Sequence, residues 1–335
     1  MRTLPSAVYR VFQSAARDAL AGTPDLTRYH VLAGVSGGLD SMVLLTFLVW
    51  LRQQRPFPLS IAHLDHGLRP EAAHDADLVS AYAARFGLDV HLQKDNVAAR
   101  AAAEKEGLEA AGRTARYAFF AELAAAFDLP VLVALAHHRH DQAETVLLNI
   151  TRGSGLSGLT GMAPLDGNRW RPFLSISRND LEMVADQLQI PFAEDKTNLS
   201  DAFLRNRLRH RLLPLWSELA ERDMADKLCG LAKRLRDEDD ALGQLAAELK
   251  NKVSIRPGEY AVMALQESPK ALIRRVLELC YREHTGGRML QAAHTDLLLL
   301  LIRQGGQSGT VSLPQGAKAV LSHGILRFVT DRPHE

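Results

Sequence analysis

The chain has 335 residues, with 40 Lys+Arg against 39 Asp+Glu, and 47% of its residues are hydrophobic. This near-neutral balance excludes a disordered polyelectrolyte, a collagen-like chain and a uniformly basic coat protein, so any nucleic-acid partner must meet local basic patches. The longest early apolar run, residues 41–51, is too short to cross a bilayer. Without an N-terminal signal pattern and with only Cys229 and Cys280, we expect a cytoplasmic protein without disulfides.

Residues 30–175 alternate short β-rich apolar runs with longer helical patterns. The predicted strands are 29–35, 59–65, 89–93 and 131–137, and the predicted helices are 41–52, 71–86, 108–127 and 141–151. Such alternation is typical of strand–helix–strand units. It predicts the fold class α/β, with a Rossmann-like doubly wound parallel sheet.

The sequence pattern changes after residue 215. Leucines between Leu228 and Leu249 recur at helical spacing with charged residues between them, which fits either a packed helical arm or a homodimer interface. Residues 251–258 are predicted to be a linker, followed by helices at 271–281 and 290–303 and strands at 310–313, 319–321 and 325–329. We therefore expect three parts: 1–215, a helical connector over 216–255, and a small α/β domain over 256–335.

A glycine-rich loop joins the first predicted strand to the next helix, with the residues Ser36, Gly37, Gly38, Leu39, Asp40 and Ser41. Two glycines let backbone N–H groups approach a ligand, and the helix N-terminus adds a positive dipole, so the loop predicts an anion site. No Lys follows the glycines, unlike in a Walker loop. Asp40 beside a phosphate is explained most simply by bound Mg²⁺. The alternative is a glycine turn capped by Asp40.

This loop resembles the SGGxDS loop of the N-type ATP pyrophosphatases, which split ATP between its α and β phosphates to adenylate a substrate. The resemblance implies an adenylating enzyme rather than a kinase. It implies that residues 36–41 bind ATP, and we expect Asp65 to lie near them.

Two later segments place polar residues at the carboxyl ends of strands, where open α/β sheets bind ligands. One is residues 63–69 with Asp65, and the other is residues 136–145 with Asp141 and Glu144. Three carboxylates at one sheet edge predict a cation site for Mg²⁺, a substrate ammonium or both. The alternatives are a zinc site in the His-rich run, or simple capping of the helix by Asp141 and Glu144.

Taken in order, these motifs are similar to those of the tRNA(Ile)-lysidine synthetase family. They are HxDHGLR (63–69), RTARY (113–117), AHHxxDQAET (136–145), RPFL (171–174), DKTN (195–198) and RNRLR (205–209). The resemblance covers roughly residues 30–215. It implies a ligase that uses ATP to adenylate C2 of the wobble cytidine 34 in a tRNA(Ile) with a CAU anticodon. Free L-lysine then attacks to give lysidine, AMP and pyrophosphate.

The resemblance also implies residue roles. Asp40 and Asp141 would hold Mg²⁺; His137, Asp141 and Glu144 would line the lysine side; Arg113 would face the α-phosphate or the charge developing on the cytidine. The family commonly has two consecutive Asp residues where this chain has His140-Asp141, which bears on the number of metal ligands.

The segment 196–211 carries five basic residues and one acid, and it predicts tRNA phosphate contacts through Arg205, Arg207, Arg209 and Arg211. A solvated helix face with internal ion pairs is the alternative. The glycines of residues 153–158 match G-x-G-x-x-G, but a helix rather than a strand is predicted before them, so they indicate a helix end and a loop. The competing functions are tRNA 2-thiolation, which generally uses cysteines, and a nucleotide-binding module without turnover.

Overall fold

The computed structural model describes residues 4–67, 72–193, 203–287, 289–303 and 308–330. The chain divides into two units, Met1–Lys233 and Arg234–Glu335. The division falls within one helix, Met224–Val253, whereas the sequence pattern predicts boundaries at residues 215 and 255. Within the described residues, no helix is long and apolar enough to cross a membrane.

The first unit contains a mostly parallel sheet. Its strands are His30–Gly34 (β1), Leu59–Asp65 (β2), Val90–Lys94 (β3), Val131–Ala134 (β4), Leu165–Asp166 (β5) and Arg169–Trp170 (β6). The strand order is β3-β2-β1-β4-β6-β5, and β1 pairs in parallel with both β2 and β4. Only the β5–β6 pairing is antiparallel among the strands described. This arrangement confirms the predicted α/β class and all four predicted strands of this unit.

The helices of the first unit precede, connect and follow these strands, and the last of them, Met224–Val253, continues into the second unit. They are Ser6–Leu20 (α1), Leu39–Gln54 (α2), Ala72–Ala84 (α3), Val97–Glu104 (α4), Leu108–Ala125 (α5), Arg139–Thr151 (α6), Leu156–Leu159 (α7), Arg178–Leu188 (α8), Leu204–Arg207 (α9), Leu213–Leu219 (α10) and Met224–Val253 (α11). A π-helical stretch, Leu208–Leu212, lies between α9 and α10. The apolar run over residues 41–51 is buried throughout, so it forms a core helix.

The core of the first unit packs α2 between the sheet and its neighbouring helices. Phe12, Phe47, Trp170 and Phe173 are fully buried in this cluster. Their rings meet at tilted and edge-on angles, as aromatic side chains prefer. Burial of this many large side chains holds the carboxyl ends of β1 and β4 at fixed positions, and the glycine-rich loop starts from one of them.

The second unit is an antiparallel sheet with helices and has its own core. Its strands are Ser254–Arg256 (β7), Glu259–Ala261 (β8), Gly309–Ser312 (β9), Ala317–Ser322 (β10) and Ile325–Thr330 (β11), in the order β7-β8-β11-β10-β9. The helices are Met263–Gln266 (α12), Lys270–His284 (α13) and Ala292–Arg303 (α14). Ile273, Leu277, Leu298 and Phe328 are in its core.

The predicted linker over residues 251–258 is wrong. The helix continues to Val253, and residues 254–261 form a hairpin whose turn contains Pro257 and Gly258. Gly258 has φ +78°, which a tight hairpin turn requires and which glycine adopts without strain. A Pro-Gly pair is found in turns as well as in linkers. Here the burial of Tyr260 on β8 distinguishes a turn between packed strands from a linker.

Candidate active site

The glycine-rich loop runs from the end of β1 at Gly34 to Leu39, where α2 begins with Gly38 as its N-cap. Gly37 has φ +91°, a backbone conformation that side chains other than hydrogen rarely allow. The loop is closed by its serines: the Ser36 N–H donates to Ser41 Oγ at 3.2 Å, and Ser41 Oγ donates to the Gly38 carbonyl at 2.8 Å. The positive end of the α2 dipole therefore faces out of a preformed turn, which suits an anion.

A cavity of about 1030 Å³ opens directly above this loop. It lies at the carboxyl edge of β1, β2 and β4, where the strand order changes direction, the usual ligand position of such sheets. Its polar lining includes Ser36, Asp40, Ser41, His137 and Asp141, and its apolar lining includes Leu64, Phe120, Leu135, Ile190 and Phe192. The lining thus combines charged and polar groups with apolar side chains that suit a ring.

His138 lies between the carboxylates of Asp40 and Asp141. Its Nε2 atom lies 3.8 Å from Asp40 Oδ2 and 3.5 Å from Asp141 Oδ2. The His140 N–H donates to its Nδ1 at 3.2 Å, so Nε2 is the ring nitrogen that carries the proton in the neutral tautomer. His138 is buried and caps α6, and Asp141 Oδ2 accepts the His138 backbone N–H at 3.0 Å. The helix N-terminus therefore fixes both side chains.

The pKa values of the two carboxyls move in opposite directions. Burial raises the pKa of Asp40, although His138 and Arg178 oppose the shift. Burial acts the same way on Asp141, but His138, His137, the His138 backbone N–H and Arg205 outweigh it, so the pKa of Asp141 is lowered. Arg178 Nη1 donates to Asp40 Oδ2 at 2.6 Å, and Asp40 Oδ1 is buried with no hydrogen-bond partner among the described residues.

Glu144 lies one turn further along α6 and is completely buried. Arg209 binds it through Nε to Oε1 at 2.5 Å and Nη2 to Oε2 at 3.0 Å, and Arg205 Nε donates to Oε2 at 2.8 Å. Arg209 Nη2 also donates to Asp141 Oδ1 at 3.0 Å. Two arginines from α9 and the π-helical stretch thus neutralise two carboxylates of α6, as a buried carboxylate needs.

Histidine and arginine side chains complete the walls. Burial lowers the pKa of His137 to about 4, so its ring is neutral near pH 7. Its Nδ1 atom is buried without a partner in the part of the chain that the structure describes. Arg116 lines the cavity and lies 3.5 Å from His66 Nε2.

Comparison with known proteins places this site in a family. A family model for the PP-loop domain matches residues 10–216. The tRNA(Ile)-lysidine synthase of Geobacter sulfurreducens is 35% identical over 307 residues, which are 89% of this chain and 64% of that protein. The enzyme of the same name from Geobacillus kaustophilus is 32% identical over 311 residues, which are 90% of this chain and 67% of that protein. The chain belongs to the tRNA(Ile)-lysidine synthase family. It spans about two thirds of the length of these relatives.

A solved structure supports the fold alone. The U34-tRNA thiolase NcsA from Methanococcus maripaludis, described with its [4Fe-4S] cluster, superposes with a TM-score of 0.56 over 68% of this chain and 79% of that one. At 16% identity the two share the PP-loop fold. The family resemblance read from the motifs is confirmed by the relatives, and the parallel sheet by this superposition.

Some residues of the lysidine synthase motifs line the cavity, and others lie elsewhere. Ser36, Gly38, Leu39, Asp40 and Ser41 line it, as do His137 and Asp141. Asp65 instead accepts the Gly67 N–H at 2.8 Å, lies 3.7 Å from Lys94, and is not among the lining residues. Gly37 forms the turn of the glycine-rich loop and is not a lining residue of the cavity. Arg69 and residues 195–198, including Lys196, lie outside the described residues.

Arg113, Arg205 and Arg209 have different surroundings from those that the family resemblance implies. Arg113 is exposed on α5 with its guanidinium 5.0 Å from the Tyr117 ring centre, and Arg116, one turn further on, lines the cavity instead. Arg205 and Arg209 bind Asp141 and Glu144, because their four-residue spacing matches the three-residue spacing of the carboxylates on α6. Composition alone does not distinguish a phosphate-binding arginine from one that pairs with a buried acid.

Sequence reasoning missed His138, Arg178 and Arg116 as site residues. His138 lies inside the AHHxxDQAET motif. Its position as the α6 N-cap, three residues before Asp141, could have indicated that it belongs to the site. Arg178 is far from Asp40 in sequence and begins α8, so only the packing of α8 beside α2 brings the two together. No local pattern could have shown that pairing.

The donor set fits Mg²⁺ at Asp40, whereas both oxygens of Asp141 already accept hydrogen bonds, Oδ1 from Arg209 and Oδ2 from the His138 N–H, and an ion would share one of them. Among the residues described, no group of three or more His, Cys, Asp or Glu side chains could hold a metal ion. Mg²⁺, however, is usually held by one or two carboxylates together with substrate phosphates and water. The buried, unpartnered Asp40 Oδ1 offers such an oxygen beside the phosphate loop. His140, where the family has a first Asp, has a buried Nδ1 without a partner in the described structure.

Proposed function

We propose that the protein is an ATP-dependent carbon–nitrogen ligase that converts the wobble cytidine of a CAU-anticodon tRNA(Ile) to lysidine. One observation carries the proposal: the SGGxDS loop, Asp40, His137 and Asp141 line one cavity, in a chain whose relatives bear the name tRNA(Ile)-lysidine synthase. The substrates of the whole reaction are ATP, the tRNA and free L-lysine.

The loop and the first turn of α2 would bind the pyrophosphate end of ATP. Backbone N–H groups at a helix N-terminus hold phosphate oxygens without a side-chain charge, and the two serine hydroxyls can add donors. The apolar lining from Phe120, Leu135 and Ile190 suits a purine ring. Mg²⁺ held by Asp40 and Asp141 would neutralise charge on the departing pyrophosphate.

Adenylation makes the C2 oxygen of cytidine a leaving group, and AMP departs when the lysine ε-amine attacks C2. The ammonium, whose ordinary pKa is near 10.4, must first lose a proton. Asp141, which lines the cavity, would attract the ammonium and accept its proton. Glu144, enclosed by Arg205 and Arg209, would position Asp141 through Arg209. Catalysis would then rest on positioning and charge stabilisation, with no covalent protein intermediate.

Neither cysteine supports sulfur transfer at this site. Burial raises the pKa of both Cys229 and Cys280 to about 12, which disfavours a thiolate, and neither residue lines the cavity. This argues against tRNA 2-thiolation. A cytoplasmic location, where tRNA, ATP and lysine are all present, and a homodimer complete the proposal.

The test is release of AMP from ATP in the presence of the CAU-anticodon isoleucine tRNA, with and without lysine. We expect AMP and lysidine to form together only when lysine and this tRNA are both present. Methionine tRNA, which also has a CAU anticodon, is the matched control and should support little AMP release. A nucleotide-binding module would consume no ATP with any of these substrates, and that outcome would refute the ligase.

A further inference from the structure

Four arginines gather around Tyr117 at the edge of the cavity. Arg113 and Arg116 come from α5, Arg169 is in β6, and Arg171 follows that strand. The guanidinium carbons of Arg113 and Arg169 lie 5.0 Å and 5.5 Å from the Tyr117 ring centre. We call these four residues the Tyr117 arginine cluster.

The cluster contains more positive charge than its neighbours neutralise. Asp166 is the carboxylate that pairs with it in the described structure: Arg169 Nη2 donates to Asp166 Oδ2 at 2.6 Å, and Arg171 Nη2 lies 3.9 Å from the same oxygen. Within the described residues, Arg113 and Arg116 have no carboxylate within ion-pair distance. Four guanidinium groups facing one acid create a strong positive potential at one place.

The side chains are arranged so that N–H groups remain available. Stacking on an aromatic ring uses the face of a guanidinium and leaves its N–H edge directed outward, where it can bind two phosphate oxygens at once. Arg171 is only 3% exposed; its Nη1 donates to the Ala163 carbonyl at 2.7 Å, but its Nε is buried with no partner in the structure described. A buried donor without an acceptor is costly unless a ligand supplies one.

The cluster borders the site assigned to catalysis. Arg116 lines the cavity, as does His137. Burial is the main cause of the lowered pKa of His137, and the charges of Arg171 and Arg113 lower it further, so both arginines are close enough to a lining residue to act on it electrostatically. Arg113 likewise lowers the pKa of Arg116 and of Arg171, behind burial as the main cause. An anion bound here would relieve that repulsion.

We propose that the Tyr117 arginine cluster is a second phosphate site, which binds a backbone phosphate of the RNA strand whose base enters the cavity. It is distinct from the glycine-rich loop, which is left for the phosphates of the nucleotide. The inference rests on the proposed function, because it assigns the RNA substrate to one wall of that cavity. Two anions in one cavity need two cationic sites, and the loop supplies only one.

The substitution Arg169→Gln tests the site. Arg169 is partly exposed, so its removal leaves the core intact, unlike that of Arg171. The full chain is titrated with a fluorescent CAU anticodon stem-loop at several salt concentrations. We expect RNA affinity to fall about fivefold near 0.1 M salt, and the slope of log K against log salt to fall by about 0.7 for one lost phosphate contact.

Asp166→Asn provides a test of opposite sign. It removes the acid that competes with the ligand, so RNA should bind about twofold more tightly. Arg85→Gln is the matched control, because Arg85 is an exposed arginine that stacks on Tyr82 at 5.0 Å, and neither residue lines the cavity. It should change neither affinity nor slope. Thermal unfolding of each variant identifies any loss of folding.

The same variants separate the two sources of phosphate. Pyrophosphate and ATP affinities should stay within about twofold of the parent value in Arg169→Gln, since the loop binds them. If pyrophosphate or ATP affinity falls while RNA affinity does not, the cluster serves the nucleotide and the RNA assignment is wrong. Unchanged RNA affinity in both Arg169→Gln and Asp166→Asn would also overturn it.

Failure of the proposed function would look different. Backbone contacts carry no sequence information, so an isoleucine and a methionine stem-loop should lose affinity equally in Arg169→Gln. A protein that shows this loss but forms no lysidine with any tRNA would refute the ligase and leave the phosphate site standing.

Discussion

At the scale of single residues, the two adjacent glycines of the glycine-rich loop have different backbone conformations. Gly37 has φ +91°, whereas Gly38 has φ −74°. A Cβ added at Gly37 would meet Asp75 Cβ at an ordinary 3.4 Å, so the cost there lies in the backbone rather than in a clash. We predict that Gly37→Ala lowers the free energy of unfolding by about 1–3 kcal/mol and weakens ATP binding, because the turn must distort.

Gly38→Ala is the control for that prediction. Its Cβ would find nothing nearer than Ser36 Oγ at 3.6 Å, and its φ is one that alanine adopts freely. Urea unfolding should therefore show a much smaller change than in Gly37→Ala. Equal effects of the two substitutions would mean that the backbone conformation at Gly37 is not what shapes the loop.

Asp141 combines a structural and a chemical role that one substitution separates. Asparagine keeps an oxygen to accept the His138 N–H at the α6 N-terminus but removes the negative charge. We predict that Asp141→Asn leaves ATP binding within about threefold and abolishes lysine-dependent AMP release, because the ammonium loses its partner. Turnover at the parent rate, followed by AMP formation, would contradict the role given to Asp141.

At the scale of elements, the basic segment over residues 204–212 has two faces. Arg205 and Arg209 point into Asp141 and Glu144, while Arg207 and Arg211 are exposed. The π-helical stretch begins at Leu208, after Arg205 and Arg207, and contains Arg209 and Arg211; such local geometry is frequent at functional sites. We propose that tRNA phosphate contacts in this segment come from Arg207 and Arg211.

Replacing one arginine from each face tests that division. Arg209→Gln leaves the buried Glu144 with Arg205 as its remaining arginine, and we predict a loss of about 2–4 kcal/mol in the free energy of unfolding. Arg211→Gln should destabilise the fold less than Arg209→Gln does, since Arg211 is exposed, and should weaken tRNA binding in a salt-dependent manner. The measurements are urea unfolding and tRNA titration. Reversed effects would mean that the faces are assigned the wrong way round.

Strands and helices of the first unit could be predicted because each carries its own signal. The short apolar runs of β1, β2 and β4 and the helical spacing between them are local patterns, and the structure confirms them. The pairing of Arg209 with Glu144 could not be predicted, because 65 residues separate them and both sit among other charged residues. The sequence showed a basic run and an acidic helix start, but only their packing together shows that part of the run is used internally.

At the scale of the whole molecule, the two units have separate cores. The lining residues of the cavity that the structure describes all belong to the first unit, and Leu298 is fully buried in the core of the second. We predict that Leu298→Ala lowers the stability of the second unit by about 2–5 kcal/mol and leaves ATP affinity unchanged. Hydrogen exchange of the second unit and calorimetric ATP titration check the two halves of this statement. A parallel loss of ATP affinity would show that the units are energetically coupled.

The sequence by itself determined the parallel α/β sheet, the glycine-rich loop after β1, and the family, because these depend on short-range periodicity and on ordered motifs. Tertiary structure alone decided the partners of the charged groups: His138 between Asp40 and Asp141, Arg178 on Asp40, Arg209 on Glu144, and four arginines around one tyrosine. The physical reason is that the free energy of a charge depends on its burial and its neighbours, and both are set by residues distant along the chain.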